Sequence, residues 1–185
     1  MKTLLYTTLI SLSLILMACP YEGNVELCTY AEALKTEKTL IGEWVAFHEG
    51  GDRDELVIEK GDKGVYFVSH KHYKGSKLDE RTKVRAYSTD ISGTAVFTLE
   101  YEQENKYQYA KHEITGKNEF NLQFIDADYM ETNFKPEEEV TGKVLKDFLA
   151  EHLSDEKLFT EKMEFYRKHS PEYDKVRIYM EKSGF

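Results

Sequence analysis

The sequence predicts a mostly β (β+α) protein, an antiparallel meander of about eight strands that forms a small barrel or a strongly curved sheet. Apolar residues recur at every second position between Leu40 and Asp126, which is typical of strands. Glycine-containing turns interrupt this pattern at intervals of about 8 to 12 residues, as expected for short antiparallel strands. After Pro136 the apolar spacing changes to three and four, which predicts two C-terminal amphipathic helices near residues 136–169.

The individual strands are predicted from alternation between turns. The clearest strand follows the Ser92-Gly93 turn, where Ala95, Phe97 and Leu99 alternate with mostly polar residues. Closing such a meander into a barrel would leave no exposed strand edge. Shorter alternating sets mark the other strands: Trp44 and Ala46, Leu56 and Ile58, Val65 and Phe67, Val84 and Ala86, Tyr107 to Ile114, and Phe120, Leu122 and Phe124.

Two helices and one last strand are predicted after the meander. Pro136 is followed by three glutamates, which is typical of a helix start because the proline presets the backbone and the anions complement the helix dipole. Ser154 is typical of the N-cap of a second helix, which we expect to end at Ser170-Pro171. The second helix would bury Leu158, Phe159, Met163 and Tyr166, and alternation of Val176, Ile178 and Met180 predicts a final strand.

The first eighteen residues differ from the remainder of the chain. Lys2 provides a short basic lead, and the fourteen residues from Leu4 to Met17 carry no charge. A membrane-spanning helix needs about 20 apolar residues, so this shorter run favours the core of a signal peptide over an uncleaved membrane helix.

The end of this run, Leu16-Met17-Ala18-Cys19, resembles the lipobox of bacterial lipoproteins. The resemblance implies cleavage after Ala18, a diacylglycerol thioether on Cys19 and a fatty acid on the new amino group. We therefore expect a removed signal peptide at 1–18, a lipidated N-terminus and short tether at 19–39, and a single domain at 40–185. The expected location is the extracytoplasmic side of a cell membrane, with the choice between inner and outer membrane left open.

Charge and the lipobox together limit the partners. The chain has 34 acidic and 25 basic residues, for a formal net charge of -9, whereas nucleic-acid binding requires clustered cations. We expect no nucleic-acid partner. The expected partners are the lipid bilayer, through acylated Cys19, and either a small apolar ligand or another envelope protein.

Gly42-Glu43-Trp44, at the start of the first predicted strand, resembles the opening of lipocalins. This resemblance implies an eight-stranded barrel that binds a small ligand, although it does not identify the binding residues. The alternative is an envelope protein that has a structural role or contacts other proteins. Tyrosines combine an apolar ring with a polar tip and suit either role; those on or beside strands are Tyr66, Tyr73, Tyr87, Tyr101, Tyr107 and Tyr109.

His70 and His72 are candidate metal ligands, because residues two apart on a strand point to the same face and imidazole is a common zinc ligand. His48, Glu55 and Glu59 lie on neighbouring predicted strands, but the sequence does not fix the register that would bring them together. Two nearby lysines, Lys71 and Lys74, would repel a cation. We therefore expect a solvated polar strand end and no metal site.

The remaining acidic and reactive residues also favour structural roles. Asp52, Asp54 and Glu55 follow Gly50-Gly51 without the spacing of a calcium-binding EF-hand, so we expect a turn there. The sequence contains no nucleophile elbow, phosphate-binding loop or dinucleotide fingerprint, and we expect no catalytic residue, no cofactor and no enzymatic activity. Cys28 is expected to be a small buried hydrophobic residue.

Overall fold

A computed structural model describes residues 19–101, 106–137 and 139–183. The predicted signal peptide at 1–18 lies outside the described residues, as does Glu138 in the predicted helix start. Among the described residues, no helix combines the length and the apolar character that crossing a bilayer requires.

Within the described residues, nine strands form one antiparallel sheet, and eight of them close into a barrel. The closure occurs because β8 pairs with β7 and β9, and β9 pairs with β2. The short β1 extends the pairing of β7. The fold class predicted from the sequence is therefore confirmed. The strands are β1 (Glu22–Gly23), β2 (Gly42–Phe47), β3 (Arg53–Lys60), β4 (Val65–Lys74), β5 (Lys77–Ile91), β6 (Thr94–Tyr101), β7 (Tyr107–Gly116), β8 (Glu119–Phe124) and β9 (Met163–Arg167).

The described residues contain three α-helices, all of which follow β8 along the chain. They are α1 (Ala127–Asn133), α2 (Gly142–His152) and α3 (Pro171–Lys182). Of these, α2 corresponds to the first predicted helix, although it begins after Thr141 rather than at Pro136. The Thr141 hydroxyl accepts a hydrogen bond from the backbone N–H of Val144, so a side-chain N-cap determines the start. The sequence analysis did not predict α1.

The last two predicted elements were wrong, because the helix and the strand occur in the opposite order. The second predicted helix is instead a short 3-10 helix, Glu156–Leu158, followed by β9. Phe165 of β9 pairs with Phe120 of β8, and this pairing helps to close the barrel. The predicted final strand is α3, because Ser170 caps the helix and Pro171 occupies its first turn.

The two ends of the barrel differ. One end carries the β3–β4, β5–β6 and β7–β8 turns and the Leu40–Trp44 segment, and we call it the tryptophan end. The opposite end carries the β2–β3, β4–β5, β6–β7 and β8–β9 connections, and we call it the histidine end because His48, His70 and His72 lie there.

Aromatic side chains fill the barrel interior towards the tryptophan end. Trp44 packs edge-to-face on Phe120, with ring centroids 4.8 Å apart, and Phe120 stacks on Phe165 at 4.9 Å. Phe97 packs edge-to-face with Tyr66. The other buried residues of this interior core are Leu40, Ala46, Leu56, Ile58, Val84, Ala86, Leu99, Ala110 and Leu122. A dense apolar core of this kind supplies the main stabilisation of a chain without disulfides.

Arg167 covers the tryptophan end. Its guanidinium lies 4.3 Å from the centre of the Trp44 ring and donates hydrogen bonds to the backbone carbonyls of Thr39 and Ile41. Gly42 lies beside it with φ of +140°, and a Cβ atom there would come within 2.4 Å of the guanidinium. Glycine at position 42 is therefore required by both the backbone conformation and the close approach of Arg167.

A second apolar cluster lies between the outer barrel wall and the helices. Leu145 and Leu149 of α2 are fully buried there with Val96 and Tyr109 of the wall. Leu27, from the segment before β2, belongs to the same cluster. The helices therefore dock on the outside of the barrel and do not enter it.

Residues 19–39, expected to be a short tether, follow the barrel surface. The backbone N–H of Tyr21 donates to the carbonyl of Ile125 at 2.8 Å, and that of Ala127 donates to the carbonyl of Cys19 at 2.9 Å. Cys28 is buried, as predicted, with 8% of its surface exposed. The first described residue, Cys19, is thus held against the β8–β9 connection, at the histidine end.

Candidate functional site: a histidine cluster around Asp54

The strand register brings one acidic and two histidine side chains into the barrel. Asp54 of β3 pairs with His72 of β4, and Leu56 pairs with His70. Because alternate residues of a strand share a face, Asp54 points inward together with the core residues Leu56 and Ile58. His70 and His72 follow on the inward face of β4.

Asp54 is the centre of the cluster. Its Oδ2 lies 2.6 Å from Nε2 of His48, and its Oδ1 lies 2.7 Å from Nε2 of His70 and 2.9 Å from Nδ1 of His72. Asp54 is buried, whereas the three histidine side chains are 26–33% exposed. Three imidazole groups therefore satisfy a carboxylate that faces the interior, while their outer edges remain accessible to solvent.

The electrostatics of the cluster favour an ionised carboxylate. Burial opposes ionisation of Asp54, but the hydrogen bonds from His48, His70 and His72 outweigh it and hold the pKa of this carboxyl far below its usual range. The hydrogen bond to Asp54 raises the pKa of His48. The site therefore presents a negative charge surrounded by nitrogen ligands.

The β2–β3 connection places His48 beside Asp54. The backbone N–H of His48 donates to the carbonyl of Asp52 at 2.8 Å, and Gly50 and Gly51 adopt positive φ angles that reverse the chain. The Asp52 carboxylate in turn accepts a hydrogen bond from the backbone N–H of Gly75 in the β4–β5 connection. Two neighbouring connections are thus tied together around the cluster.

Arg53 and Tyr73, on the outside of the barrel, add further contacts between these two connections. Arg53 donates to the carbonyl of Gly75 at 2.8 Å, and its guanidinium lies 3.9 Å from the centre of the Tyr73 ring. The cluster is therefore held by regular strands and by connections with several fixed contacts, which is the support that a preorganised binding site needs.

Three of the cluster residues can ligate a metal through nitrogen or oxygen. The ligand atoms of His48, Asp54 and His72 all lie within 4.8 Å of one another. Imidazole nitrogen and carboxylate oxygen are common zinc ligands. His70 is hydrogen-bonded to the same carboxylate and can orient it without binding the metal itself.

The structure separates the residues considered in the sequence analysis. It brings His48, His70 and His72 together, which the sequence could not establish. Glu55 instead lies on the outward face of β3, 3.2 Å from Arg53, and Glu59 pairs with Phe67 on the same face.

The two lysines expected to repel a cation each have an acidic neighbour. Lys71 pairs with Glu55 on the outward face of the sheet, and the ammonium of Lys74 lies 2.9 Å from the Asp79 carboxylate. The histidines of the expected solvated strand end are thus partly exposed and contact the buried Asp54, and the expected absence of a metal site stays a prediction.

The inward position of Asp54 differs from the turn that the sequence predicts after Gly50-Gly51. That prediction was wrong for Asp54, which lies in β3 and is buried. The spacing of Asp54, Leu56 and Ile58 is the signal that could have placed it on the inward face.

The two cysteines occupy different surroundings. The side chain of Cys19 is exposed, and its acylation stays a prediction. Cys28 is a buried residue of the segment between β1 and β2, and burial raises the pKa of its thiol, which disfavours the reactive thiolate.

Comparisons with known proteins give no further assignment. No protein family, no curated protein and no solved structure matches this chain. The function is therefore argued from the cluster itself and from the two short sequence resemblances, at Leu16–Cys19 and at Gly42–Trp44.

Proposed function

We propose that this protein is a lipid-anchored lipoprotein of the bacterial envelope whose barrel binds a small ligand at the histidine end, without catalysing a reaction. The observation that carries the proposal is the buried Asp54 with three histidines around it, at one end of a barrel that is otherwise packed with apolar side chains. A few convergent polar groups are typical of the residues that orient a small ligand.

The surroundings favour a polar or charged ligand over the apolar ligand expected from the sequence. The packed rings of Trp44, Phe120 and Phe165 occupy the interior towards the tryptophan end. The histidine end instead offers a carboxylate and imidazole groups. Because Asp54 is already hydrogen-bonded to three imidazole groups, a ligand bound there must replace these hydrogen bonds with polar or charged contacts of its own.

The proposed anchor lies at the same end of the barrel as the ligand site. Cys19 is held beside Ala127 in the β8–β9 connection, and β1 begins three residues later. Acyl chains contribute about 0.8 kcal/mol per buried CH₂, and two or more anchor a protein stably. With so short a link, the histidine end would lie close to the membrane surface.

The anchor is tested by growing the host with radiolabelled palmitate. Cys19→Ser should abolish labelling of the protein, because its side chain is the proposed acylation site. Cys28→Ser is the matched control and should retain the label. Equal labelling of the Cys19→Ser and wild-type proteins would contradict the anchor.

The ligand site is tested by native mass spectrometry of the full chain, purified from host membranes in detergent. The wild-type spectrum should contain a bound species that is lost from Asp54→Asn. His152→Gln, in which a histidine of α2 is changed, should retain it. A bound species that persists in Asp54→Asn, or no bound species in the wild type, would contradict binding at the histidine end.

An alternative is an envelope protein that contacts other proteins, and α3 is the feature that favours it. Tyr179 is 68% exposed and Ile178 is 41% exposed, and none of the described α3 residues is buried. A photo-crosslinking amino acid at position 179 should then trap a partner in cells, whereas one at Lys117 in the β7–β8 turn should not. Absence of a crosslink at position 179 would argue against this role.

A further inference from the structure

We propose that the ligand of the histidine end is a divalent transition-metal cation, with Zn²⁺ as the best match, bound by His48, Asp54 and His72. This inference rests on the proposed function, since it names the chemical class of the ligand at the same site. It replaces the expectation from sequence that these histidines lie at a solvated strand end.

The ligand atoms lie close enough for a metal ion to be bound after side-chain movements of less than about 1 Å in the two hydrogen-bonded contacts. Zinc binds imidazole nitrogen and carboxylate oxygen at about 2.0 to 2.2 Å, so adjacent ligand atoms in a tetrahedral site are about 3.3 Å apart. The Asp54 carboxylate now lies 2.6 Å from the His48 nitrogen and 2.9 Å from the His72 nitrogen. Zinc binding therefore requires the His48 contact to open by about 0.7 Å and the His72 contact by about 0.4 Å, among three ligand atoms that all lie within 4.8 Å of one another.

Metal binding exchanges hydrogen bonds for coordination bonds. Without a metal, the ring nitrogens of His48 and His72 form hydrogen bonds with the ionised Asp54 carboxylate. A metal binds the unprotonated nitrogen of a neutral imidazole, so each ring proton moves to the other nitrogen of its ring. The negative charge of Asp54 then compensates one of the two charges of the cation.

His70 is inferred to be a positioning residue. Its Nε2 lies 2.7 Å from Oδ1 of Asp54, and it can continue to donate this hydrogen bond while the carboxylate binds the metal. Hydrogen bonds of this kind fix the orientation of a ligating carboxylate and raise metal affinity. The fourth imidazole of the barrel interior, that of His112, belongs to the tryptophan end.

Three protein ligands leave a fourth position for water or another molecule, whereas structural zinc sites use four protein ligands. The side chains of His48 and His72 are 32% and 26% exposed, so solvent reaches the cluster. The ligand set contains only nitrogen and oxygen, which suits Zn²⁺ better than the soft, thiolate-seeking Cu⁺.

The test is equilibrium dialysis of the full-length, metal-stripped protein in detergent against Zn²⁺. We expect one ion per chain in the wild type and an affinity at least about 100-fold lower in Asp54→Asn and in His72→Gln, since each removes a ligand. His70→Gln should lose about 10- to 100-fold, as outer-sphere changes typically do. His112→Gln and His152→Gln are matched histidine controls and should bind as the wild type does.

Substitution with Co²⁺ separates the ligands from the positioning residue. His72→Gln should change the visible absorption spectrum of the bound cobalt, because a ligand is replaced, whereas His70→Gln should preserve the spectrum at a lower affinity. Circular dichroism verifies that each variant is folded, and His48→Gln provides a further ligand variant if Asp54→Asn does not fold.

Unchanged zinc affinity in folded His48→Gln and His72→Gln overturns the metal proposal. Absence of zinc binding in the wild type also overturns it, and the mass spectra then distinguish two cases. A bound organic species that depends on Asp54 leaves the proposed ligand site standing, whereas no bound species refutes both proposals.

Discussion

Histidines occupy both ends of the barrel interior, in opposite environments. At the tryptophan end, His112 stacks on Phe97 at 3.9 Å, and its Nδ1 is buried without a hydrogen-bond partner among the described residues. Burial lowers the pKa of His112 to about 4. At the histidine end, Asp54 raises the pKa of His48. The buried Asp54 carboxylate therefore distinguishes the polar histidine end from the tryptophan end, where burial keeps His112 neutral.

The largest expected effect is at the tryptophan end. Trp44→Ala should lower the free energy of unfolding by about 3 to 5 kcal/mol, because it leaves a cavity among stacked rings. His70→Ala should cost less, about 1 to 2 kcal/mol, because Asp54 keeps two other hydrogen-bond donors. Urea unfolding of both variants measures the difference, and equal losses would contradict the division into a packing end and a binding end.

The next largest expected effect is a dependence of folding stability on pH, which arises from His112. An unfolded chain protonates this histidine near its ordinary pKa of 6.5, whereas the folded protein does so only near pH 4. The unfolded state thus binds more protons between these values, and stability falls as pH decreases from about 6.5 to about 4, by roughly 3 kcal/mol in total.

This pH dependence is tested with His112→Gln, because glutamine can still form a hydrogen bond with Ser88 but does not titrate. The difference in unfolding free energy between pH 7 and pH 4.5 should be smaller in this variant than in the wild type. Other groups titrate equally in both proteins and cancel in the comparison. Parallel pH profiles would show that His112 is not kept neutral by burial.

A smaller effect is expected at Gly42. Gly42→Ala should destabilise the protein by about 1 to 3 kcal/mol, because φ of +140° is strained for alanine and the new methyl group displaces Arg167 from Trp44. Gly116→Ala is the control, since its nearest contact would be at 3.6 Å. Similar thermal unfolding of both variants would contradict the role of Gly42 at the tryptophan end.

The smallest effect is expected on the rim of the histidine end. Lys74 and Asp79 form an exposed ion pair, and exposed pairs contribute little because solvent screens them. Asp79→Asn should therefore leave the urea midpoint unchanged within error, in contrast to Asp54→Asn. A clear shift for Asp79→Asn would mean that stability at this end does not depend mainly on the buried carboxylate.

Alternation every second residue was sufficient to predict the barrel, because each strand has one face that must be buried. The spacing of apolar residues gave the wrong prediction after residue 153, because two patterns overlap there. One set fits a helix, whereas Met163 and Phe165 also fit a strand. The residues with helical spacing are Leu158, Phe159, Met163 and Tyr166. Only the need to close the sheet between β8 and β2 decides between them. Pro171 was equally ambiguous, since proline both ends helices and occupies their first turn.

The site was predictable only in part. The spacing of His70 and His72 placed both on one face, as observed. Asp54 could not be connected with them, because strand register depends on the whole sheet and not on local sequence. A charged residue inside a barrel is also disfavoured unless partners compensate it, and those partners come from two other segments of the chain.

The most direct test of the binding end is NMR of the histidine side chains during titration with Zn²⁺. The chain has six histidines, and the ring resonances of His48, His70 and His72 should shift and saturate together at one ion per chain. Those of His112, His152 and His169 should remain unchanged. No shift in the first three at one equivalent of zinc, or shifts spread over all six, would contradict metal binding around Asp54.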